Sequence, residues 1–223
     1  RSGMAYGFSV FWLPLSHAIG ITKSAPDDWT VKTLGYMYSL FFVFLGSSAA
    51  IFGAWVEREG PRKAGFVAAC CWGAGFFISA LGIQWHQIWM LWIGSGVIGG
   101  CGLGLGYISP VSTLIKWFPD RRGMATGMAI MGFGGGAMIG SPLADALMKH
   151  FATPTSVGVE HTFLVMGSIY FVAMMCGAFG YRLPAPGWRP AGWTPPAQAV
   201  AASDAGSVPV GVAWRTPQFW LLW

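Results

Sequence analysis

Residues 64–115 read AGFVAACCWGAGFFISALGIQWHQIWMLWIGSGVIGGCGLGLGYISPVSTLI, from Ala64 to Ile115 without one Asp, Glu, Lys or Arg. A hydrocarbon core about 30 Å thick takes about 20 apolar residues as a helix. This stretch is too long for one span and holds two. The break between them is Gln84-Trp85-His86-Gln87. A membrane β-barrel strand alternates apolar and polar residues with period two; here nearly every position is apolar, so the spans are helical.

Four further segments qualify as spans: Gly3 to Ile21, Leu34 to Trp55, Gly123 to Leu147 and His161 to Tyr181. A seventh apolar run begins near Thr216. Composition agrees. Of the 223 residues 54% are apolar and 9% charged, with 33 Gly and 13 Trp. A soluble domain carries roughly a quarter charged residues, whereas membrane helices tolerate Gly and bilayer interfaces collect Trp. A soluble enzyme, a disordered chain and a secreted disulfide scaffold are excluded. The net charge of +5 is not a nucleic-acid footprint, because the basic residues sit in short gaps between apolar runs instead of on one polar face. Cys70, Cys71, Cys101 and Cys176 fall inside apolar runs without C-x-x-C spacing, and read as reduced, buried thiols.

Lys and Arg in the gaps set the orientation. Arg1, Arg58, Arg62, Lys63, Lys116, Arg121, Arg122, Arg182, Arg189 and Arg215 fall on one side, against Lys23, Lys32 and Lys149 on the other. The N-terminus and the even-numbered gaps are therefore expected in the cytoplasm of a multi-pass protein of the bacterial inner membrane. The sixth gap, 184–215, is rich in Pro, Gly and Ala and reads as an extended cytoplasmic linker. The expected organisation is a six-helix bundle over 1–183, this linker, and the start of a seventh helix over 216–223. Such a layout is one half of a two-bundle carrier, and the chain reads as a fragment of a longer protein.

The second gap runs Gly53-Ala54-Trp55-Val56-Glu57-Arg58-Glu59-Gly60-Pro61-Arg62-Lys63. It resembles the signature loop of the major facilitator superfamily, with Glu57 where Asp is usual. The alternative reading is a basic topogenic cluster with a turn. The fourth gap, Lys116-Trp117-Phe118-Pro119-Asp120-Arg121-Arg122-Gly123, preceded by Tyr107-Ile108-Ser109-Pro110, is similar to the oxalate/formate antiporter family within that superfamily. So are the Gly187-Trp188 and Gly192-Trp193 pairs and the closing Thr216-Pro217-Gln218-Phe219-Trp220. The resemblance implies an all-α membrane fold and a carrier exchanging small carboxylates such as oxalate and formate. In it Gly53, Glu57, Arg58, Gly60, Arg62, Lys63, Asp120, Arg121 and Arg122 form the cytoplasmic gating loops. A proton-coupled monocarboxylate symporter of a sister family is the alternative, with a membrane scaffold or embedded enzyme a third reading.

Gly96, Gly100 and Gly104 recur every fourth residue in the fourth span, and Gly132, Gly136 and Gly140 in the fifth. That spacing aligns each series on one face and lets backbones approach. Gly140-Ser141-Pro142 is similar to the antiporter motif of the superfamily's fifth helix, where a kinkable face slides. Gly132-Phe133-Gly134-Gly135-Gly136 is no dinucleotide fingerprint, since no strand precedes it. Polar groups at membrane depth mark candidate pathways: Tyr6, Tyr38, Ser39 and Tyr107. A Tyr hydroxyl donates to a carboxylate without the desolvation cost of a full charge. The resemblance places Tyr6 and Tyr107 at the substrate, and Tyr38 and Ser39 are chosen by helix and depth. Aromatic packing is the competing role for the tyrosines. Asp145 and His17 read as interfacial. No catalytic grouping, metal spacing or cofactor motif is present. The implied partners are a small organic anion, the lipid bilayer and a second six-helix half; the cations that hold a dianion are expected there, because no Lys or Arg lies inside a span.

The charge bias makes a direct prediction. In a background lacking the four native cysteines, a membrane-impermeant thiol reagent added outside cells labels a cysteine placed at Lys149 and leaves cysteines at Arg62 and Arg122 unmodified.

Overall fold

The computed structural model describes residues 9–20, 23, 25–185, 188–190, 192 and 215–217. Among them every named element is a helix: α1 Ser9–Leu15, α2 Val31–Glu59, α3 Pro61–Gln84, α4 Ile88–Trp117, α5 Arg122–Phe151 and α6 Val159–Gly180. Helices α2 to α6 are long and apolar enough to cross a membrane. Of the expected first span, α1 is the described helical part, and residues 1–8 lie outside the description. Residues 1–185 form one compact unit and 186–223 a second; most of the expected linker lies outside the described residues.

Local chemistry sets the corners. The Thr30 hydroxyl accepts from the Thr33 amide at 3.2 Å and caps α2. The helix ends at Gly60, whose φ of 85° suits a residue without Cβ, and Pro61 opens α3 where a missing N–H costs nothing. Helices α3 and α4 part at the polar break read from the sequence. There the Gln87 amide donates to the Gly82 carbonyl at 2.7 Å, and His86 takes a φ of 52°. Prolines fall inside α1, α4 and α5 (Pro14, Pro110 and Pro142), whereas α2 and α6 have none and α3 has its proline at the first position.

Helix α3 packs closely on α6. A Cβ at Gly65 would meet the Ala178 Cβ at 2.9 Å, and one at Gly167 the Phe76 Cβ at 2.7 Å. Helix α4 lies against α2 and α3 at once. On one side Gly96, Gly100 and Gly104 touch α2, where a Cβ on Gly100 would stand 2.6 Å from the Phe41 carbonyl. On the other Gly94 and Gly102 touch α3, with 2.7 Å to the Gly75 carbonyl and 2.9 Å to the Trp72 amide. Buried Leu15, Leu34, Met37, Leu91, Val159 and Phe163 fill the end of the bundle that holds the α1–α2 and α3–α4 loops. The four cysteines are free, but none is fully buried as the sequence reading expected: Cys70, Cys71 and Cys101 are half-buried and Cys176 is exposed on α6. An apolar helix face beside lipid has no need to be covered by protein.

The α1–α2 loop is tied by Asp28. Its carboxylate accepts from the amides of Ile19 (2.7 Å), Gly20 (3.0 Å) and Ala25 (2.7 Å). Next to it, Trp29 stacks on the His86 ring with centroids 4.4 Å apart, and His86 Nε2 lies 3.0 Å from the Asp27 carbonyl. Burial pushes the Asp28 carboxyl up, but the three amides, aided by His86, outweigh it and hold the group below its ordinary value. The stabilisation is complete above the usual carboxylate range and is lost as pH falls through the folded-state value. Asp28→Ala therefore costs about 1–3 kcal/mol near neutral pH. Thermal unfolding in detergent checks this, and the gap between the two proteins narrows below about pH 4.

Candidate functional site

A cavity of about 320 Å³ lies among the helices, with walls drawn from all six. Its lining is mostly aromatic and thioether: Phe11, Tyr38, Phe41, Trp72, Phe76 and Tyr170, with Met37, Met166 and Met174. Edge and tilted ring contacts brace the wall, including Trp72 on Phe76 at 5.4 Å and Phe76 on Tyr170 at 5.7 Å. Much of the remaining wall is backbone, at Gly75, Gly99, Gly132, Gly136 and Gly140, completed by Ser95, Leu103 and Ala137. No charged side chain is among the described lining residues. The polar groups there are hydroxyls and an indole, a set that donates hydrogen bonds without bringing a buried charge.

Helix α4 supplies one of those hydroxyls through a local irregularity. Residues Trp92–Ile98 form a π-helical turn, in which the Gly99 amide reaches back to the Gly94 carbonyl. Ser95 lies on this turn at the cavity wall, and its Oγ is 2.7 Å from the Oγ of fully buried Ser79 on α3. The turn is anchored at its start by the Trp92 indole, which donates to the Thr33 carbonyl at 3.2 Å.

The candidate pathway residues separate. Tyr38 stands in the cavity wall, with its ring edge-on to Phe42 at 4.8 Å. Ser39 is exposed, and its hydroxyl is directed to the Gly35 carbonyl at 3.4 Å. Tyr107 is half-buried on α4 outside the cavity lining. Tyr6 lies outside the described residues. Sequence reasoning missed Ser95, Trp72 and Tyr170. The available signal for Ser95 was its place between Gly94 and Gly96, where a helix most readily accommodates an extra residue per turn.

At the opposite end from Asp28, the α2–α3 corner is held by two contacts. Lys63 pairs with Glu59, and Arg62 Nε donates to the Tyr181 carbonyl at the end of α6 at 2.5 Å. Glu57 and Arg58 are exposed and make no ion pair among the described residues, and Gly53 has open space where a Cβ would stand. In the α4–α5 corner Arg121 lies 3.5 Å from Asp120, and Arg122 begins α5 with its carbonyl accepting from Thr126. The Trp117 indole donates to the Arg182 carbonyl at 2.8 Å, joining the ends of α4 and α6.

The sequence profile of the Major Facilitator Superfamily matches residues 2–223. The chain belongs to that superfamily. Together with its five long apolar helices, this makes it an integral, multi-pass membrane protein. Among curated relatives, the uncharacterized MFS-type transporter YhjX of Escherichia coli K12 is 28% identical over 89% of the chain and 45% of its own length. The oxalate:formate antiporter of Oxalobacter formigenes is 26% identical over 100% of the chain and 47% of its own length. Human monocarboxylate transporter 11 is 26% identical over 90% of the chain and 39% of its own length. The chain spans about half the length, or less, of these relatives.

In this superfamily member the two glycine series have different surroundings. Gly96, Gly100 and Gly104 are buried against α2, whereas Gly132 and Gly136 have no atom within 4 Å of a Cβ position and border the cavity. Gly140 is the buried member of its series, where the Tyr170 hydroxyl would stand 2.6 Å from a Cβ; Pro142 follows, exposed, one half-turn on. Gly100→Val consequently destabilises the protein by about 1–3 kcal/mol through overpacking. Gly136→Ala stays within about 0.5 kcal/mol. Thermal unfolding of both variants in detergent reads the contrast.

Proposed function

We propose that the chain forms one transmembrane bundle of a carrier that moves small carboxylates, oxalate and formate among them, by exchange. The carrying observation is the alignment of the entire chain with the oxalate:formate antiporter. The cavity chemistry supports it. Tyr38 and Ser95 place hydroxyls in the wall where a carboxylate would be bound, and the rings around them make the rest of the wall apolar. In this reading Tyr6, Ser39 and Tyr107 complete the solute's path on the side facing a second bundle, which supplies the balancing positive charge. The Gly53–Lys63 segment, helical except at the Gly60 turn, and Asp120, Arg121 and Arg122 hold the two bundles together on the cytoplasmic side and part as the carrier turns over. The gaps left at Gly132 and Gly136 give the second bundle a smooth face to move on.

A second reading, proton-coupled symport of monocarboxylates, is favoured by the likeness to monocarboxylate transporter 11 over 90% of the chain. The two separate in proteoliposomes holding the full-length carrier. Under exchange, uptake of labelled oxalate or formate requires a carboxylate inside the vesicle and is indifferent to an imposed pH gradient. Uptake into empty vesicles that follows the pH gradient establishes symport instead. No carboxylate flux under either gradient overturns both.

A further inference from the structure

We propose that the corner between α2 and α3, together with the end of α6, is a binding site for the headgroup of an anionic phospholipid. An open cavity of about 500 Å³ lies there, between the Glu59–Arg62 turn and the segment Tyr181, Arg182 and Leu183. Its two guanidinium groups are those of Arg62 and Arg182, and no described carboxylate pairs with either. The acid in the lining, Glu59, is already engaged by Lys63. The site thus carries net positive charge that no carboxylate among the described residues matches.

Both arginines are placed by backbone contacts. Arg62 is fixed through Nε on the Tyr181 carbonyl, and the chain at Arg182 is fixed by the Trp117 indole on its carbonyl. Two planar guanidinium groups on fixed bases suit the phosphate diester of a lipid, which accepts parallel N–H donors. The depth is right as well. Four helix ends meet at this membrane face, at Glu59, Pro61, Trp117 and Gly180, and Trp55, Trp117 and Tyr181 are the amphipathic rings that collect at headgroup level.

Neighbouring surface selects a lipid over a free anion. Gly65 and Ala178 pack against each other directly below the corner, and the residues next to them, Phe66 and Phe179, are 48% and 69% exposed. With Leu183, 46% exposed, they offer acyl chains an apolar surface continuous with the charged opening. A soluble phosphate would gain nothing from it. By the charge bias of the loops this leaflet is the inner one, where anionic lipid is drawn to juxtamembrane arginines. The site does not depend on which solute the carrier moves.

The test uses the purified full-length carrier, delipidated in mild detergent and mixed with phosphatidylglycerol or phosphatidylcholine, with bound lipid counted by native mass spectrometry. Phosphatidylglycerol is expected to be retained in preference, and Arg62→Gln and Arg182→Gln each to lower its retention about fivefold. Arg182→Lys keeps the charge and much of the retention, and Lys149→Gln on the other membrane face leaves it unchanged. Unaltered thermal midpoints in these variants show that the fold is intact. Equal retention of the two lipids, or retention indifferent to Arg182→Gln, overturns the proposal. So does displacement of the lipid by inorganic phosphate at equal concentration, which would make the site one for a soluble anion.

Discussion

Helix α4 approaches two neighbours so closely that backbone touches backbone, and the rest of the bundle is arranged around that contact. In lipid there is no hydrophobic drive to press one apolar helix on another, so association rests on dispersion and on how near the chains can come. Glycines on two sides of α4 remove the side chains that would hold α2 and α3 away. Close packing of this kind is unforgiving, because at Gly94, Gly100, Gly102 and Gly104 the atoms in the way include backbone carbonyls and amides, which cannot swing aside as side-chain ends do. Helix α3 is fixed again from its other side by α6, through Gly65, Gly73 and Gly167.

The same contact explains the cavity. With α2, α3, α4 and α6 locked together, α5 meets the bundle near its start at Ala125 and again at Gly140, Ala144 and Met148, while Gly132 and Gly136 stand clear. The space between is lined by the aromatic rings of the locked helices and by bare α5 backbone. The π-turn in α4 belongs to this arrangement: Gly94 and Gly96 are each committed to a different neighbour, and the extra residue brings Ser95 to the cavity wall. A polar hydroxyl in an apolar wall is kept satisfied by Ser79 behind it.

The helices were legible because membrane spans announce themselves by length and by the absence of charge, and the corner at Gln84–Gln87 fell where the polar residues are. Their ends were less legible. Helix α2 runs to Glu59, beyond Trp55, because charged residues continue a helix once it leaves the hydrocarbon. The site was legible only in part. Tyr38 and Ser39 are adjacent in sequence and equally polar, yet lie about 100° apart around a helix, and only the first meets the cavity. Gly96 and Gly132 head identical spacings, but one is pressed against a neighbour and the other is not. Periodicity shows which residues share a face; what lies opposite that face depends on helices distant in sequence. The loop charges illustrate the same limit, since Arg62 makes its contact with Tyr181, 119 residues away.

The prolines divide the bundle mechanically. Each internal proline deletes one rung of the hydrogen-bond ladder and leaves a helix easier to bend at that level. Pro14, Pro110 and Pro142 confer such compliance on α1, α4 and α5, whereas α2, α3 and α6 keep uninterrupted ladders. Bending modes of the bundle are therefore anisotropic: three stiff struts stand beside three rods with built-in joints. In α4 the joint at Pro110 comes after the last glycine contact with α2, at Gly104, so the upper part of that rod is clamped and the lower part can flex. Strain applied at the α4–α5 corner is taken up by bending at Pro110 and Pro142, apart from what the Trp117 indole hands directly to the end of α6.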